Sequence, residues 1–386
     1  MSHYAVLVVL PEEPTDEVIG RTLAPWHEFE CTGRNDQYVV EIDITEEANR
    51  EYDGWTTTRL RDPDGNLHDP YGADGELKPE FSKEDDTGYR RFHAPEGYEE
   101  VKLPVSEFED RATWIADFHG CNVAEAESRI DLEETHKFGH VLVDAEGSVV
   151  RVVKRTNPNK KWDYWTVGGR YSGRLKPGYD PEKDPANLEP CHCKRWGDDT
   201  ASCRHCKGTG ETARFPSKWV DVGNRARWGD LDLAALKGAR VAEREAMVER
   251  MRVDSGLSFE QFEIGFAARR AAHAIWMEMP EPRPRGGEYT EWLRTQPHGD
   301  LAAAYRRADT WGDIETKDGQ SIADWIASAP AVSAYAIVID GKWCSRGEMG
   351  WFGISHDESD DWETQRQAII DAIPADHYVA FVDCHI

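Results

Sequence analysis

The chain has 386 residues and a formal net charge of −27, because 73 Asp and Glu residues outnumber 46 Lys and Arg residues. An acidic surface repels nucleic-acid phosphates, which argues against a general DNA- or RNA-binding protein, while 39% hydrophobic residues are enough to form a packed core. Because the sequence shows no membrane-length apolar run, no secretory signal pattern and no disulfide scaffold, we expect a cytoplasmic protein without a membrane partner.

The N-terminal region predicts a buried strand followed by a short helix. Residues 4–10 form a continuous apolar run, and residues 12–22 have helical composition with acidic positions at the start. Pro25 breaks this helix and leaves His27 and Glu28 on an irregular segment. These two side chains are either members of a cleft or ordinary turn residues.

The next part of the chain predicts a long loop, a helix and a hairpin. Residues 61–99 are rich in Asp, Gly, Pro and Glu, which indicates an elaborated surface loop or a functional lid. Ser106 is expected to cap a helix whose apolar face runs from Phe108 to Phe118. Residues 141–153 predict a β-hairpin.

An aromatic and glycine-rich stretch at residues 162–173 follows this hairpin. Its paired glycines permit close backbone approaches that other residues cannot make. One interpretation is a strand and a tight turn whose aromatic rings fill the core. The other is a surface that binds a ligand or partner through Trp162, Trp165 and Arg170, joined by Trp351 from a second aromatic and glycine-rich segment.

The strongest chemical signal comes from four cysteines in two pairs that are nine residues apart: Cys191, Cys193, Cys203 and Cys206. Two such pairs supply the four soft ligands of a tetrahedral zinc ion, and His192 or His205 could replace one of them. Four protein ligands leave no open position for water, so we expect a structural zinc ion. The alternative is four free thiols, which oxidise readily when exposed. The second pair and the glycines after it resemble the C-x-x-C-x-G-x-G repeat of the zinc centre in DnaJ-type chaperones.

The C-terminal half predicts two long helices at residues 231–253 and 258–279, shorter helices up to residue 328, and a hairpin at residues 334–344. A final helix and a terminal strand at residues 377–386 complete the chain. We therefore predict an α+β fold with a mixed sheet built from N- and C-terminal strand–helix units. The predicted parts are an α+β core (residues 1–173 with 331–386), a zinc-binding loop (residues 174–220) and a mainly helical insertion (residues 221–330).

The last strand carries two further candidate catalytic residues. Asp383 and His385 fall on one face of it because strand side chains alternate. They could form a cleft with His27 or Glu28, or they could simply end the chain.

Scattered blocks resemble a family of tailed-phage accessory proteins: MSHYAVLV (1–8), LAPWHEFECTG (23–33), WDYWTVGGRY (162–171), GEMGWFG (347–353) and VDCHI (382–386). The resemblance spans both ends and the middle of the chain. It implies expression in the cytoplasm of an infected bacterium, outside the virion, and it brings no established activity.

Three functions fit these observations. The first is a host-takeover or anti-defence protein that binds a host protein or a nucleotide-type signal, since aromatic rings with an arginine suit a nucleotide and an acidic exterior suits a basic protein. The second is a hydrolase or transferase that uses the His, Glu and Asp candidates. The third is a zinc-stabilised interaction scaffold.

Overall fold

A computed structural model of the chain describes all residues except 1, 35, 73–75, 85–89, 198, 281–282, 310–313, 315, 317–318 and 351–353. The α-helices of the described residues are α1 (Asp16–Leu23), α2 (Thr45–Gly54), α3 (Arg111–His119), α4 (His192–Trp196), α5 (Leu233–Ser255), α6 (Phe259–Glu278), α7 (Gly286–Arg294), α8 (Gly299–Ala308), α9 (Ile322–Ala327) and α10 (Trp362–Asp371). None of these helices is both long enough and apolar enough to cross a membrane.

The strands of the same described residues are β1 (His3–Leu10), β2 (Val40–Asp43), β3 (Thr56–Arg61), β4 (Leu67–His68), β5 (Ser82–Glu84), β6 (Arg90–Phe92), β7 (Glu99–Pro104), β8 (Asn122–Glu125), β9 (Gly139–Val143), β10 (Val149–Thr156), β11 (Tyr164–Val167), β12 (Leu188–Pro190), β13 (Glu211–Ala213), β14 (Arg225–Arg227), β15 (Ala336–Ile339), β16 (Lys342–Ser345), β17 (Glu348–Met349), β18 (Ser355–His356) and β19 (Tyr378–His385). Together these helices and strands make an α+β fold, as the sequence predicts.

The chain forms two compact units. We call Met1–Thr22 with Tyr164–Ile386 the terminal unit, and Leu23–Asp163 the inner unit. The sequence assigns residues 23–163 to one core with both termini, whereas in the structure they gather around a hydrophobic cluster of their own. The boundary at residues 163 and 164 falls inside the aromatic and glycine-rich stretch.

The terminal unit is built on a mixed six-stranded sheet in the order β11-β19-β1-β15-β16, with β14 also paired to β19. The first and last strands pair antiparallel over their whole length, from His3 opposite His385 to Leu10 opposite Tyr378. On its other side β1 pairs parallel with β15. Residues 4–10 are all buried, which explains why the opening run is apolar at every position.

One face of this sheet packs into the main core of the terminal unit, which includes Leu7, Ile337 and Phe381. The helical part of the unit has separate cores around Phe262 and Leu293.

The long helical pair matches its prediction. Gly256 ends α5 with a φ of +71°, and Ser258 begins α6 with a capping box that also involves Gln261.

The inner unit contains a four-stranded sheet in the order β2-β10-β9-β8. The cluster of buried residues beneath it includes Tyr52, Ile115, Val141 and Val152, from α2, α3, β9 and β10. Antiparallel pairing of β9 with β10 confirms the predicted hairpin. The stretch predicted as a long loop contains short strands. One of them, β4, joins β3 and β7 in a three-stranded sheet, and β5 and β6 pair with each other in a separate sheet.

The predicted cap of α3 is wrong. Ser106 lies in a short 3-10 turn, and α3 begins at Arg111 with Asp110 as its cap, whose carboxylate accepts the backbone N–H of Thr113. Phe108 precedes this helix and is 37% exposed. The apolar spacing indicated the helix correctly, but the acidic cap lies closer to the first helical turn than the serine does.

Candidate metal centre

The four predicted zinc ligands meet in one small module of the terminal unit, formed by residues 188–213. Its base is a two-stranded ribbon in which β12 pairs with β13, so that the chain before the first cysteine lies beside the chain after the last. Cys191 precedes the single turn of α4, and Cys193 lies within it. The backbone N–H of Cys191 donates to the carbonyl of Gly210 at 3.0 Å, which closes the loop.

The sulfur atoms have the spacing of a tetrahedral thiolate site. The four Sγ atoms lie within 4.8 Å of one another, and the pairs 191–203 and 193–206 are 3.7 and 3.6 Å apart. A zinc ion with Zn–S bonds of about 2.3 Å requires sulfur atoms about 3.8 Å apart in a tetrahedron. All four cysteines are free, and all but Cys203 are buried. They could therefore hold a metal ion without a change of fold.

The ionisation of the four thiols also indicates that a metal cation belongs among them. Burial raises the pKa of Cys193 to about 12, with further contributions from hydrogen bonds to the neighbouring thiols. Burial also acts to raise the pKa of Cys206, but backbone N–H groups of Gly210 and Gly208 stabilise its thiolate and bring the value down to about 7. Four thiolates this close repel one another, so full ionisation requires a cation among them. The glycines after Cys206 thus supply backbone N–H groups that stabilise its thiolate.

The two histidines of the module lie beside the sulfur cluster. The rings of His192 and His205 meet edge to face, with centroids 4.6 Å apart. Among the described residues, the group that could hold a metal consists of the four cysteines alone.

The predicted ligand-binding residues fall in both units. Trp162, in the inner unit, is buried, donates its indole N–H to the carbonyl of Leu23 at 3.1 Å and stacks on the ring of His27. Trp165 and Arg170 belong to the terminal unit, where Trp165 lies on β11 and the side chain of Arg170 is exposed. Trp351 lies outside the described residues. The four-residue pocket remains a prediction.

The candidate catalytic residues are divided in the same way. In the inner unit, His27 packs against Trp162, and Glu28 accepts a hydrogen bond from Lys160 at 2.6 Å. In the terminal unit, Asp383 and His385 lie on β19. A cleft formed by residues of both sets remains a prediction.

The sequence did not indicate His3 as a partner of Asp383. Nδ1–H of His3 donates to Asp383 at 3.0 Å, and the rings of His3 and His385 meet edge to face at 5.0 Å. The apolar run after His3 indicated a strand, but the antiparallel pairing with the last strand could not be obtained from that run alone.

No protein-family model, curated protein or solved structure matches this chain.

Proposed function

We propose that this chain is a zinc-stabilised binding protein, encoded by a phage, that acts in the infected bacterial cytoplasm on a host protein or a nucleotide-type signal. The observation that supports the zinc centre is the tetrahedral spacing of four cysteine sulfurs. Zinc is the metal that soft thiolate ligands favour in tetrahedral sites. Its role is structural, because four protein ligands leave no open position at which a substrate or water can bind.

The zinc ion would hold a module that has little core of its own. Its buried cluster consists of the cysteines, whereas Trp196 on α4 and Phe215 after β13 are 73% and 66% exposed. Exposed aromatic side chains held by a rigid centre suit a protein-binding surface, and the acidic composition suits a basic partner. The host-protein role predicts that Trp196→Ala abolishes complex formation with a purified host partner while zinc content is retained.

The zinc centre is tested by Cys203→Ser, with Cys344→Ser as the matched control. Cys344 is a free, half-buried cysteine on β16, outside the cluster. We expect Cys203→Ser to lose zinc and to unfold at a lower temperature, and Cys344→Ser to retain one zinc ion per chain. Full zinc content in Cys203→Ser would contradict this centre.

A second candidate function is an enzyme, which the contact between His3 and Asp383 favours. A buried carboxylate that holds a partly exposed imidazole is an arrangement used for general base catalysis. This candidate predicts that the chain turns over a phosphate ester or nucleotide and that His3→Gln abolishes turnover with zinc content unchanged. Absence of turnover across a substrate panel would contradict it.

A further inference from the structure

The terminal unit contains a cleft of about 1580 Å³. It is lined by β1, α5, α9, α10 and the segment that leads into β15. Ligand pockets commonly measure about 300–1,000 Å³, so this cleft has room for a molecule of nucleotide size.

Basic side chains are concentrated in this cleft although the chain as a whole is acidic. The basic lining residues are Arg174, Lys237, Arg244, Arg346 and Arg366. The acidic lining residues are Glu358, Asp360, Glu363 and Asp371. Five cations and four anions leave a local charge of 5 − 4 = +1, against −27 for the whole chain. An anion would therefore be repelled by most of this surface but attracted into the cleft.

Two of these cations lie on α5, seven residues apart and hence on the same helix face. The guanidinium of Arg244 lies over the ring of Trp325, 4.1 Å from its centroid, and also donates to the backbone carbonyl of Trp325. Among the described residues no carboxylate lies within ion-pair distance of Arg244 or of Lys237. Neither cation is therefore neutralised by an ion pair within this part of the chain, although Arg244 also lies 3.5 Å from the hydroxyl of Ser328.

The other side of the cleft carries Arg366 on α10. Its side chain is 5% exposed and makes two hydrogen bonds to Glu363, at 3.0 and 2.5 Å. Its Nε atom is buried and has no hydrogen-bond partner among the described residues. Burial lowers the pKa of both Arg366 and Arg244; Glu363 partly opposes this, and the charge of a neighbouring arginine adds to the lowering. Arginine remains charged under such conditions, so an anion placed between these groups would relieve their repulsion.

We propose that this cleft binds a small molecule that carries a chain of phosphate groups, with Lys237 and Arg244 as its principal contacts. Guanidinium groups suit phosphate because their planar N–H forks match two oxygens at once. The inference deepens the proposed binding function by naming a ligand class and a site, and it uses none of the zinc ligands.

The test is calorimetric titration of the zinc-loaded full chain with inorganic tripolyphosphate. Lys237→Gln changes an exposed side chain, so this variant is expected to fold even if Arg244→Gln is destabilised. Arg250→Gln is the matched control, since Arg250 is exposed on the same helix and does not line the cleft. We expect saturable binding at a single site that weakens about tenfold in Lys237→Gln and in Arg244→Gln. The Arg250→Gln control should stay within about twofold of the wild type.

Three results would overturn the proposal: no saturable binding, equal affinity in the wild type and Lys237→Gln, or equal weakening in the Arg250→Gln control. Equally tight binding of an acidic peptide would also overturn it, because it would show a site for protein acids. Zinc content measured on every sample separates this proposal from the metal centre. A folded, zinc-loaded chain that does not bind tripolyphosphate contradicts the cleft proposal alone.

Discussion

Nδ1 of His3 lies 3.0 Å from Oδ1 of Asp383, although 380 positions of the chain separate the two residues. The other carboxylate oxygen accepts the backbone N–H of Arg170 at 2.9 Å. Asp383 is 3% exposed. One buried carboxylate therefore joins the first strand, the last strand and the glycine turn that follows β11.

Replacing this carboxylate should destabilise the terminal unit. In Asp383→Asn the side chain keeps one acceptor oxygen and gains an N–H₂ donor, so it cannot accept from both His3 and Arg170. We expect the free energy of unfolding to fall by about 1–3 kcal/mol in urea denaturation. Asp340→Asn is the control, because Asp340 is exposed at a hairpin tip with a φ of +51°, which asparagine also adopts. Equal stability of the two variants would argue against a structural role for Asp383.

The paired glycines allow the backbone to approach this carboxylate. Gly169 has a φ of +50°, and a Cβ atom there would lie 2.6 Å from Cβ of Asp383. Gly178 has a φ of +69° with open space around the same position. Both alanine variants therefore incur the cost of a left-handed backbone, about 1–2 kcal/mol, but only Gly169→Ala adds a steric clash.

We expect Gly169→Ala to be less stable than Gly178→Ala by at least about 1 kcal/mol in urea denaturation. Equal losses would mean that crowding at Asp383 is not what requires the glycine.

Local sequence features predicted which segments of this region form strands, but they did not predict which strands lie side by side. Apolar runs identified β1 and β19, and cysteine spacing identified the four cysteines that could hold a metal ion, because both signals lie within short segments. The contact of His3 with Asp383 depends on the register between strands at opposite ends of the chain. Trp162 and Trp165 belong to different units, and this division depends on which residues share a hydrophobic core. The residue pattern within the twelve residues 162–173 does not contain that information.

The apolar face of α6 offers a test of the helical core. Phe262 is fully buried and its ring lies 5.0 Å from that of Tyr305, whereas Phe259, three residues earlier, is 51% exposed. Phe262→Ala should lower the free energy of unfolding by about 3–5 kcal/mol through lost burial and a cavity. Phe259→Ala should cost less than about 1 kcal/mol. Denaturation curves of similar midpoint for both would contradict the packing of α6.

The inner unit should lose stability in acid at Asp43. Hydrogen bonds from the Thr45 hydroxyl, from Arg151 and from the Thr45 backbone N–H lower the pKa of Asp43 from 3.8 to about 2. Because the folded-state pKa lies below the unfolded value, the stabilisation is complete above pH 3.8 and is lost as the pH falls to about 2.

Wild-type protein should therefore lose more stability than Asp43→Asn across this interval in urea denaturation at each pH. Glu127→Gln, which removes an exposed turn carboxylate, should behave like the wild type. Parallel losses in wild type and Asp43→Asn would contradict this role of Asp43.

Native mass spectrometry of the purified full chain, before and after chelation, tests the zinc centre most directly. We predict a mass excess of one zinc ion per chain, with loss of protons from the coordinating cysteines, and a lower unfolding temperature once the ion is removed. A chain that carries no metal when purified with zinc present, and whose unfolding temperature does not respond to chelation, would contradict the account.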